Sequence, residues 1–368
     1  MNTDTRSWET ALQKAWDGER LSIDEGLALY DADFLLLGKT ADRRRKQVFS
    51  GRENIITFAV NLNLNFTNLC YIGCDFCAFF RKSTDADVYL LSQEEILNKI
   101  EQLVQIGGTE VLLQGGLHPA CDLDYFVELF KTIHERFPQI YIHSLSCTEI
   151  VELARRHQIS VKEVLETLKS AGLKSIPGAA EILVDRVRGI ISPRKPDTAQ
   201  WMDCMETAHQ LGMESTATMT FGMIETHRER IEHMAKIRDL QDRTHGFRAF
   251  IAWTFSPAYT KLSHLKQTGG VEYLRTVAIA RLMLDNISHI TSGYVTEGMK
   301  MAQVALSFGC DDMGGTLMQE EVVAATGSGV PFTNKETLIR TIRDAGLIPA
   351  QRNSEYEILQ TFDEEAQS

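Results

Sequence analysis

The sequence predicts an α/β protein built as a (β/α) TIM-type barrel, with a helical cap before the barrel and a helical extension after it. Between about residues 55 and 316, short apolar or β-branched runs alternate with longer segments of helical period, which is typical of βα units. About eight such repeats fit a closed barrel better than an open sheet. The 368 residues, of which 43% are hydrophobic and 24% charged, suffice for one large globular unit of this class.

The elements of the barrel are predicted in order along the chain. The first strand is predicted at residues 55–66, IITFAVNLNLNF, and the second at residues 109–116, TEVLLQGG. Between them, a capping box of Ser92 and Glu95, an apolar stripe and a stop at Gly107 predict a helix. The same alternation then predicts the strands QIYIHSLS, LKSIPG, STATMTFG, FRAFIAWTF, HITSGYV and SFGCDDMGGT, and among them the helices SVKEVLETLKSAG, TAQWMDCMETAHQLG, HRERIEHMAKIRDLQ and GVEYLRTVAIARLMLDN.

The chain is divided into three segments that are expected to form one compact unit. Residues 1–54 carry the helical patterns ETALQKAW and IDEGLALYDADFLLL and are predicted to be an N-terminal helical cap. Residues 55–318 are predicted to be the barrel. Residues 319–368 are predicted to be a helical extension that contains NKETLIRTIRDAG and ends in a solvated acidic tail, DEEAQS.

The charge balance excludes several classes of partner. With 38 basic and 50 acidic residues, the formal net charge is -12, which disfavours nucleic acid and anionic membrane surfaces. No stretch approaches the roughly 18 apolar residues of a membrane span, and the charged N-terminus does not resemble a signal peptide. A cytoplasmic location is therefore predicted. The odd number of cysteines, seven, favours reduced thiols over a disulfide framework.

Three of these cysteines lie together in NFTNLCYIGCDFCAFFR, directly after the first predicted strand. In a (β/α) barrel this is the position of an active-site loop. A buried helix using cysteine as a small hydrophobe is disfavoured by the interrupting Gly73 and Asp75. A thiol-based zinc or redox-sensing protein remains an alternative, although a structural zinc site requires four ligands and the other cysteines are isolated. Three thiolates also fit an iron-sulfur cluster with one open iron. The three cysteines are Cys70, Cys74 and Cys77.

The spacing CxxxCxxC, with an aromatic residue before the third cysteine, resembles the radical S-adenosylmethionine (radical SAM) superfamily. The resemblance implies that Cys70, Cys74 and Cys77 hold one 4Fe-4S cluster, that S-adenosylmethionine binds the open iron, and that an electron donor such as flavodoxin or ferredoxin reduces the cluster. It also implies further contacts to S-adenosylmethionine from Phe76 near the adenine, from the glycine-rich segment with Gly115 and Gly116, and from Glu181 and Arg188 in EILVDRVR.

A narrower resemblance, to the cyclic dehypoxanthinyl futalosine synthases of menaquinone biosynthesis, extends from about residue 61 to residue 357. It is carried by the blocks CAFFR, QGGLHP, SIPGAAEILVDRVR, TATMTFG, GFRAFIAWTFSP and LIPAQRNSEYE. It implies that a 5′-deoxyadenosyl radical abstracts the ribose C4′ hydrogen of a nucleoside-like small molecule, dehypoxanthinyl futalosine, and that the sugar radical then attacks the benzoate ring. Aminofutalosine synthase, or a divergent radical SAM paralogue with a changed substrate, remains an alternative.

Some positions depart from the pattern of that family. Phe80 stands where a tyrosine is usual, Met223 where a histidine is frequent, and Cys147 where a proline is common. The segment PGAAEIL is one residue shorter than its counterpart. Phe80 and Met223 remove two polar groups, so the departures bear on the substrate and on any general base, for which no residue is assigned.

Overall fold

The structure, a computed structural model, describes residues 5–327 and 332–363. Its helices are α1 (Thr5–Trp16), α2 (Ile23–Ala28), α3 (Phe34–Val48), α4 (Gln93–Gln105), α5 (Leu123–Arg136), α6 (Cys147–His157), α7 (Val161–Ser170), α8 (Asp185–Ile191), α9 (Thr198–Gln210), α10 (His227–Thr244), α11 (Gly270–Met283), α12 (Tyr294–Glu297), α13 (Met299–Ala305) and α14 (Lys335–Arg343). Its strands are β1 (Ile55–Ala59), β2 (Asn61–Asn65), β3 (Glu110–Gln114), β4 (Tyr141–Ser144), β5 (Ser175–Ile176), β6 (Glu214–Phe221), β7 (Phe247–Thr254), β8 (His289–Thr291), β9 (Asp312–Gly315), β10 (Ile348–Arg352) and β11 (Ile358–Thr361).

The parallel strands form a ring, which confirms the predicted TIM-type fold. Each strand from β2 to β8 pairs with the next one in the sequence, and β9 pairs in parallel with β1. Because only Val60 separates β1 from β2, the row of strands returns to its start. The carboxyl ends of the strands, from which the βα loops leave, therefore meet at one end of the barrel. This end is the mouth, where active sites of this fold lie.

The lumen can be recognised from one ion pair that crosses it. Glu110 at the start of β3 lies 3.5 Å from Arg248 on β7, although three strands separate β3 from β7 along the sheet. The side chain of Glu110 therefore points inward. Asn61 is its register partner on β2 and donates to it at 3.1 Å, so alternation places Asn63 and Asn65 on the lumen side as well.

The predicted helices form where capping residues begin them. Capping boxes start α4 at Ser92, α7 at Ser160, α9 at Asp197 and α10 at Thr226. The sequence also holds a helix that was not predicted, α6, which follows β4 after only two residues. The sequence signal for the start of this helix was the pair Ser146 and Glu149, which has capping-box spacing. In the structure the amide of Ser146 donates to the Glu149 carboxylate.

The N-terminal helices lie along the outer surface of the barrel, against α10 and α11. At one end Arg20 pairs with Asp242 and Asp285, and at the other the Tyr30 ring stacks on His227 at 3.9 Å. Gly38 on α3 allows the Phe308 ring to approach so closely that a Cβ there would stand 2.6 Å from it. The predicted boundary near residue 54 stays a prediction.

The C-terminal segment differs from the expected helical extension. It contains α14, as predicted, but also the strands β10 and β11, which the sequence did not indicate because LIPAQRNSEYEILQ includes a proline and no regular alternation. β10 pairs in parallel with β1 along its whole length, so this segment joins the barrel sheet. Apart from Asp363, the predicted acidic tail lies outside the described residues. None of the helices in the described ranges is long and apolar enough to cross a membrane.

The same segment closes the end of the barrel opposite the mouth. Arg352, the last residue of β10, makes a bidentate ion pair with Asp312 at the start of β9, with distances of 2.6 and 3.0 Å. Asp312 also accepts a hydrogen bond from Thr57 at 2.7 Å. The Arg352 guanidinium lies 3.9 Å over the ring of Tyr356, which in turn stacks on His289 at 3.6 Å. A buried, fully paired group of side chains thus seals this end.

We expect Arg352→Met to lower the free energy of unfolding by about 3–5 kcal/mol, because it leaves the buried Asp312 carboxylate without its counter-ion. Urea denaturation followed by circular dichroism measures this change. The matched control is Arg20→Met, which removes an exposed guanidinium from two ion pairs and should cost about 1 kcal/mol or less. Equal, small effects of the two substitutions would contradict a sealing role for Arg352.

Candidate active site

The three predicted ligands lie on the cysteine loop, residues 66–91, which connects β2 to α4 at the barrel mouth. Hydrogen bonds from side chains to the backbone hold this loop, which contains no helix or strand. Thr67 Oγ1 donates to the Tyr89 carbonyl at 2.6 Å, and Asn68 donates to the Asp87 carbonyl at 2.9 Å. The Arg81 guanidinium donates at 3.0–3.1 Å to three consecutive carbonyls, those of residues 78 to 80. The loop therefore has a defined shape.

The cysteine loop rests directly on the two glycines that follow β3. The Gly116 amide donates to the Thr67 carbonyl at 2.8 Å, and a Cβ on Gly116 would come within 2.2 Å of the Leu69 carbonyl oxygen. A Cβ on Gly115 would stand 2.8 Å from the Phe66 ring. Both glycines are thus required for the loop to be seated. Their predicted contact with S-adenosylmethionine stays a prediction.

The cysteines are free and half-buried thiols. Gly73, between the first two of them, has a φ of +62°, which glycine adopts without strain, and the Cys77 amide donates to the Cys74 carbonyl at 3.2 Å. Burial raises the pKa of Cys74 to about 12 and also raises that of Cys77. Both are therefore neutral thiols at pH 7, and metal binding would displace their protons.

The donor set suits a cluster better than a single ion. Within residues 5–327 and 332–363, no three His, Cys, Asp or Glu side chains converge closely enough to hold one metal ion. A 4Fe-4S cluster has no such requirement, because each thiolate binds a different iron. Three free thiols on one ordered loop fit that arrangement, whereas a structural zinc site requires four ligands around one point.

Glu181 and Arg188 lie at the mouth beside the cysteine loop, on the segment after β5. Both side chains are buried, with 7% and 4% exposure, and the Arg188 Nη1 is 3.6 Å from the Glu181 carboxylate. Glu181 and Ala179 both have positive φ, +38° and +43°, which is a strained conformation for residues other than glycine. Arg188 holds this segment, since it donates to the carbonyls of Ala180 and Pro196.

Lys195 is a residue of the site that no sequence pattern indicated, since it stands in a polar turn, SPRKPD. Its Nζ lies 2.6 Å from Glu181 Oε1, 3.3 Å from the Ala179 carbonyl and 5.7 Å from the centre of the Phe76 ring. Burial lowers the pKa of Lys195, but the effects of Glu181 and Cys74, which raise it, are larger in sum. The net pKa is therefore above the ordinary value, and the side chain is charged. Phe76, Glu181 and Lys195 thus lie together.

Glu149, at the start of α6, is a second residue near the site that no sequence pattern had indicated as a functional residue. One of its oxygens accepts from the Ser146 amide at 2.5 Å, and the other is buried without a hydrogen-bond partner. Burial raises its pKa to about 7, although hydrogen bonds with Ser146, the backbone of Gly115 and the charge of Lys195 oppose this rise. A buried carboxyl group that titrates near neutrality therefore lies beside the glycines that seat the cysteine loop.

Comparison with known proteins identifies the family. Residues 64–237 match the radical SAM superfamily, and residues 244–365 match the CofH/MqnC C-terminal region. Cyclic dehypoxanthine futalosine synthase of Streptomyces coelicolor is 41% identical over 367 residues, covering 99% of this chain and 92% of the relative. This chain belongs to the radical SAM superfamily. The recognition made from its cysteine spacing is confirmed.

Other radical SAM relatives have different names. A 5-amino-6-(D-ribitylamino)uracil–L-tyrosine 4-hydroxyphenyl transferase of Methanothermobacter thermautotrophicus is 39% identical and covers 97% of this chain and 98% of the relative. Aminodeoxyfutalosine synthase of Thermus thermophilus is 36% identical and covers 95% of each chain. The fold of the hydrogenase maturase HydG from Carboxydothermus hydrogenoformans is similar, with a TM-score of 0.74, 18% identity, and coverage of 95% of this chain and 80% of that one.

As a radical SAM protein, the chain is an enzyme that uses a 4Fe-4S cluster and S-adenosylmethionine. The described residues fit these cofactors. The cysteine loop offers three free thiols, and buried charges beside it include a carboxylate oxygen of Glu181 without a hydrogen-bond partner.

We expect Gly116→Ala to lower the iron content after anaerobic reconstitution, because the new Cβ must displace the Leu69 carbonyl at a cost of about 1–3 kcal/mol. Iron and sulfide per chain measure the effect. Gly189→Ala, on α8 with open space around it, is the matched control and should retain the wild-type iron content. Full iron content in Gly116→Ala would show that the loop does not depend on this contact.

We also expect a pH dependence from Glu149. Its folded pKa of about 7 is above the ordinary 4.5, so between these values the unfolded chain binds fewer protons and the free energy of unfolding falls as pH rises. Glu149→Gln should flatten this fall, as measured by urea midpoints from pH 5 to 7.5. The exposed capping-box residue Glu163, whose pKa is lowered, provides the control Glu163→Gln, which should leave the slope in this range unchanged. An unaltered slope in Glu149→Gln would refute the assignment.

Proposed function

We propose that this enzyme is a cyclic dehypoxanthine futalosine synthase, which cyclises dehypoxanthinyl futalosine in menaquinone biosynthesis. The observation that carries the proposal is the 41% identity, over 99% of the chain, to the Streptomyces relative of that name. The sequence blocks that extend beyond the cysteines to residue 357 also support it. A small, nucleoside-like substrate is consistent with the closed lumen of the barrel.

In this proposal, Cys70, Cys74 and Cys77 hold the cluster, while Phe76 and the mouth segment with Glu181 bind S-adenosylmethionine. When bound, these cofactors would supply a 5′-deoxyadenosyl radical that removes the ribose C4′ hydrogen and so starts attack on the benzoate ring. The protein binds and orients the ribose near the cofactors, which is chiefly a problem of proximity. An electron donor such as flavodoxin or ferredoxin reduces the cluster.

The lumen offers a group suited to such a substrate. Asn63 Oδ1, on the inward face of β2, is buried without a hydrogen-bond partner. Native proteins seldom leave buried polar groups unpaired, so this atom favours a polar ligand with hydroxyl groups. At the far end of the lumen, the ion pair of Arg352 and Asp312 closes the barrel. Exclusion of water from that side suits radical chemistry.

The sharpest test uses substrate deuterated at the ribose C4′ with the reduced, reconstituted enzyme under anaerobic conditions. We expect free 5′-deoxyadenosine that carries the deuterium, together with a cyclised product. Mass spectrometry measures both. Cys74→Ser, which removes one predicted cluster ligand, should abolish both products, whereas Cys310→Ser replaces a buried thiol away from the cysteine loop and should preserve them in folded protein.

Three outcomes would replace the proposal. An adenosylated product without free 5′-deoxyadenosine would assign the enzyme to the aminofutalosine synthase reaction. Cleavage of S-adenosylmethionine that is no faster with the substrate than without it would indicate a paralogue with another substrate, including the tyrosine transfer named for the Methanothermobacter relative. Reconstituted protein that binds neither iron nor sulfide would instead favour a thiol-based zinc or redox-sensing role.

A further inference from the structure

The lumen contains open space beside β3. Glu110 points inward, so alternation places Leu112 and Gln114 on the inward face as well. These two are the partly exposed residues of the strand, whereas Val111 and Leu113, on the outward face, are completely buried. A side chain that points into a barrel is exposed only to the space inside it. The exposure of Leu112 and Gln114 therefore marks room for a ligand.

β7 borders the same space from the opposite wall. The Phe250 ring lies 6.3 Å from His233 of α10, so it points outward, and alternation turns Ile251 and Trp253 inward. Both are partly exposed, while the residues on either side of them are buried. An ion pair crosses the lumen between β3 and β7, so the two strands face each other. Leu112, Ile251 and Trp253 thus give this space apolar walls.

Toward the closed end of this space lies the guanidinium of Arg248. Its side chain is only 7% exposed, and the carboxylates of Glu110 and Glu214 lie 3.5 and 4.0 Å away. Both distances are longer than those of ordinary hydrogen bonds, and the buried Nη1 has no hydrogen-bond partner. A guanidinium has five N–H donors, and proteins seldom leave buried donors unpaired. An acceptor from a ligand is therefore expected here.

We infer that this space is an aryl-carboxylate subsite, in which an aromatic ring lies against Trp253 and Ile251 and its carboxylate accepts hydrogen bonds from Arg248. Apolar and aromatic walls suit the ring, and the planar guanidinium suits the two oxygens of a carboxylate. The inference deepens the proposed function and rests on it, since the proposed substrate carries a benzoate. Trp253 is the next-to-last residue of β7 and lies nearer the mouth than Arg248. The ring is thus turned toward the cysteine loop, and the carboxylate away from it.

Glu110 limits the affinity of this subsite. Burial raises the pKa of Glu110, but His143 and Arg248 lower it further, to about 2, so the group is a carboxylate at pH 7. It repels a ligand carboxylate bound to Arg248, whereas a neutral amide in the same place is not repelled. Removal of this charge should therefore strengthen binding of the carboxylate alone. An ion pair that only holds the barrel together does not predict this response.

The test measures binding of two fragments, 3-acetylbenzoate and the neutral 3-acetylbenzamide, by equilibrium dialysis against reconstituted enzyme with S-adenosylmethionine. We expect wild type to prefer the benzoate. Arg248→Met should abolish this preference and weaken benzoate binding by about 10-fold or more. Trp253→Leu should weaken binding of both fragments alike, by about 3-fold to 10-fold, because it removes a contact to the ring and leaves the contact to the charge.

Glu110→Gln is the second variant, and it keeps the inference testable if Arg248→Met does not fold. It should strengthen benzoate binding by about 3-fold or more and leave benzamide binding unchanged. The matched control is Arg243→Met. Arg243 is an exposed arginine of α10 that pairs with Glu206 at 3.0 Å, far from the inward face of any strand. Its substitution should change the binding of neither fragment.

Three results would overturn the inference: equal binding of both fragments to wild type, an unchanged preference in folded Arg248→Met, or an unchanged benzoate affinity in Glu110→Gln. Neither fragment contains a ribose, so no turnover takes place in this measurement. Failure of the proposed cyclisation therefore leaves the binding result intact. Conversely, confirmed cyclisation together with any of the three results would refute the subsite and leave the proposed function standing.

Discussion

Leu69 and Gly116 approach so closely that the cysteine loop is fixed to the end of β3. A single carbon atom added to Gly116 would come within 2.2 Å of the Leu69 carbonyl oxygen, and the Gly116 amide is bonded to Thr67. No helix or strand of the loop itself sets the position of the three thiols. Their position follows from this contact and from the side chains that bind the loop backbone, so the location of the thiols depends on where β3 ends.

The two ends of the barrel use buried ions in different ways. At the sealed end, Arg352 and Asp312 form a one-to-one pair, and Thr57 and Gly314 satisfy the carboxylate further. Such a pair leaves no charge for a ligand and restricts the C-terminal strand to one register. At the mouth, Glu181 faces two cations. Its ion pairs are therefore not one to one, since Lys195 lies 2.6 Å and Arg188 3.6 Å from the carboxylate.

Much of the fold could be predicted because its signals are local. The alternation of strand and helix patterns indicated the barrel, and Ser92 with Glu95 fixed the start of α4. The hairpin of β10 and β11 was missed because its pairing depends on a distant strand, β1, and its sequence lacks alternation. The cysteines were recognised from their spacing. Lys195 was not, because its role arises from burial beside Glu181, fourteen positions earlier, and a turn such as SPRKPD is normally solvated.

The three residues that depart from the family pattern occupy different structural positions, so their substitutions affect different parts of the protein. Phe80 packs near Gly73, with a ring atom 3.6 Å from where a glycine Cβ would stand, so it contributes to the packing of the cysteine loop. Cys147 is buried at the start of α6, where its thiol lies 3.9 Å from the Gln200 carbonyl of α9. Met223 is also largely buried, but it follows the end of β6, where barrel enzymes carry the residues that contact substrate. Its amide is held by Glu225, so the backbone there is fixed and only the side chain has changed character. Of the three residues, Met223 is thus the one that stands at a position where this fold places side chains that contact substrate.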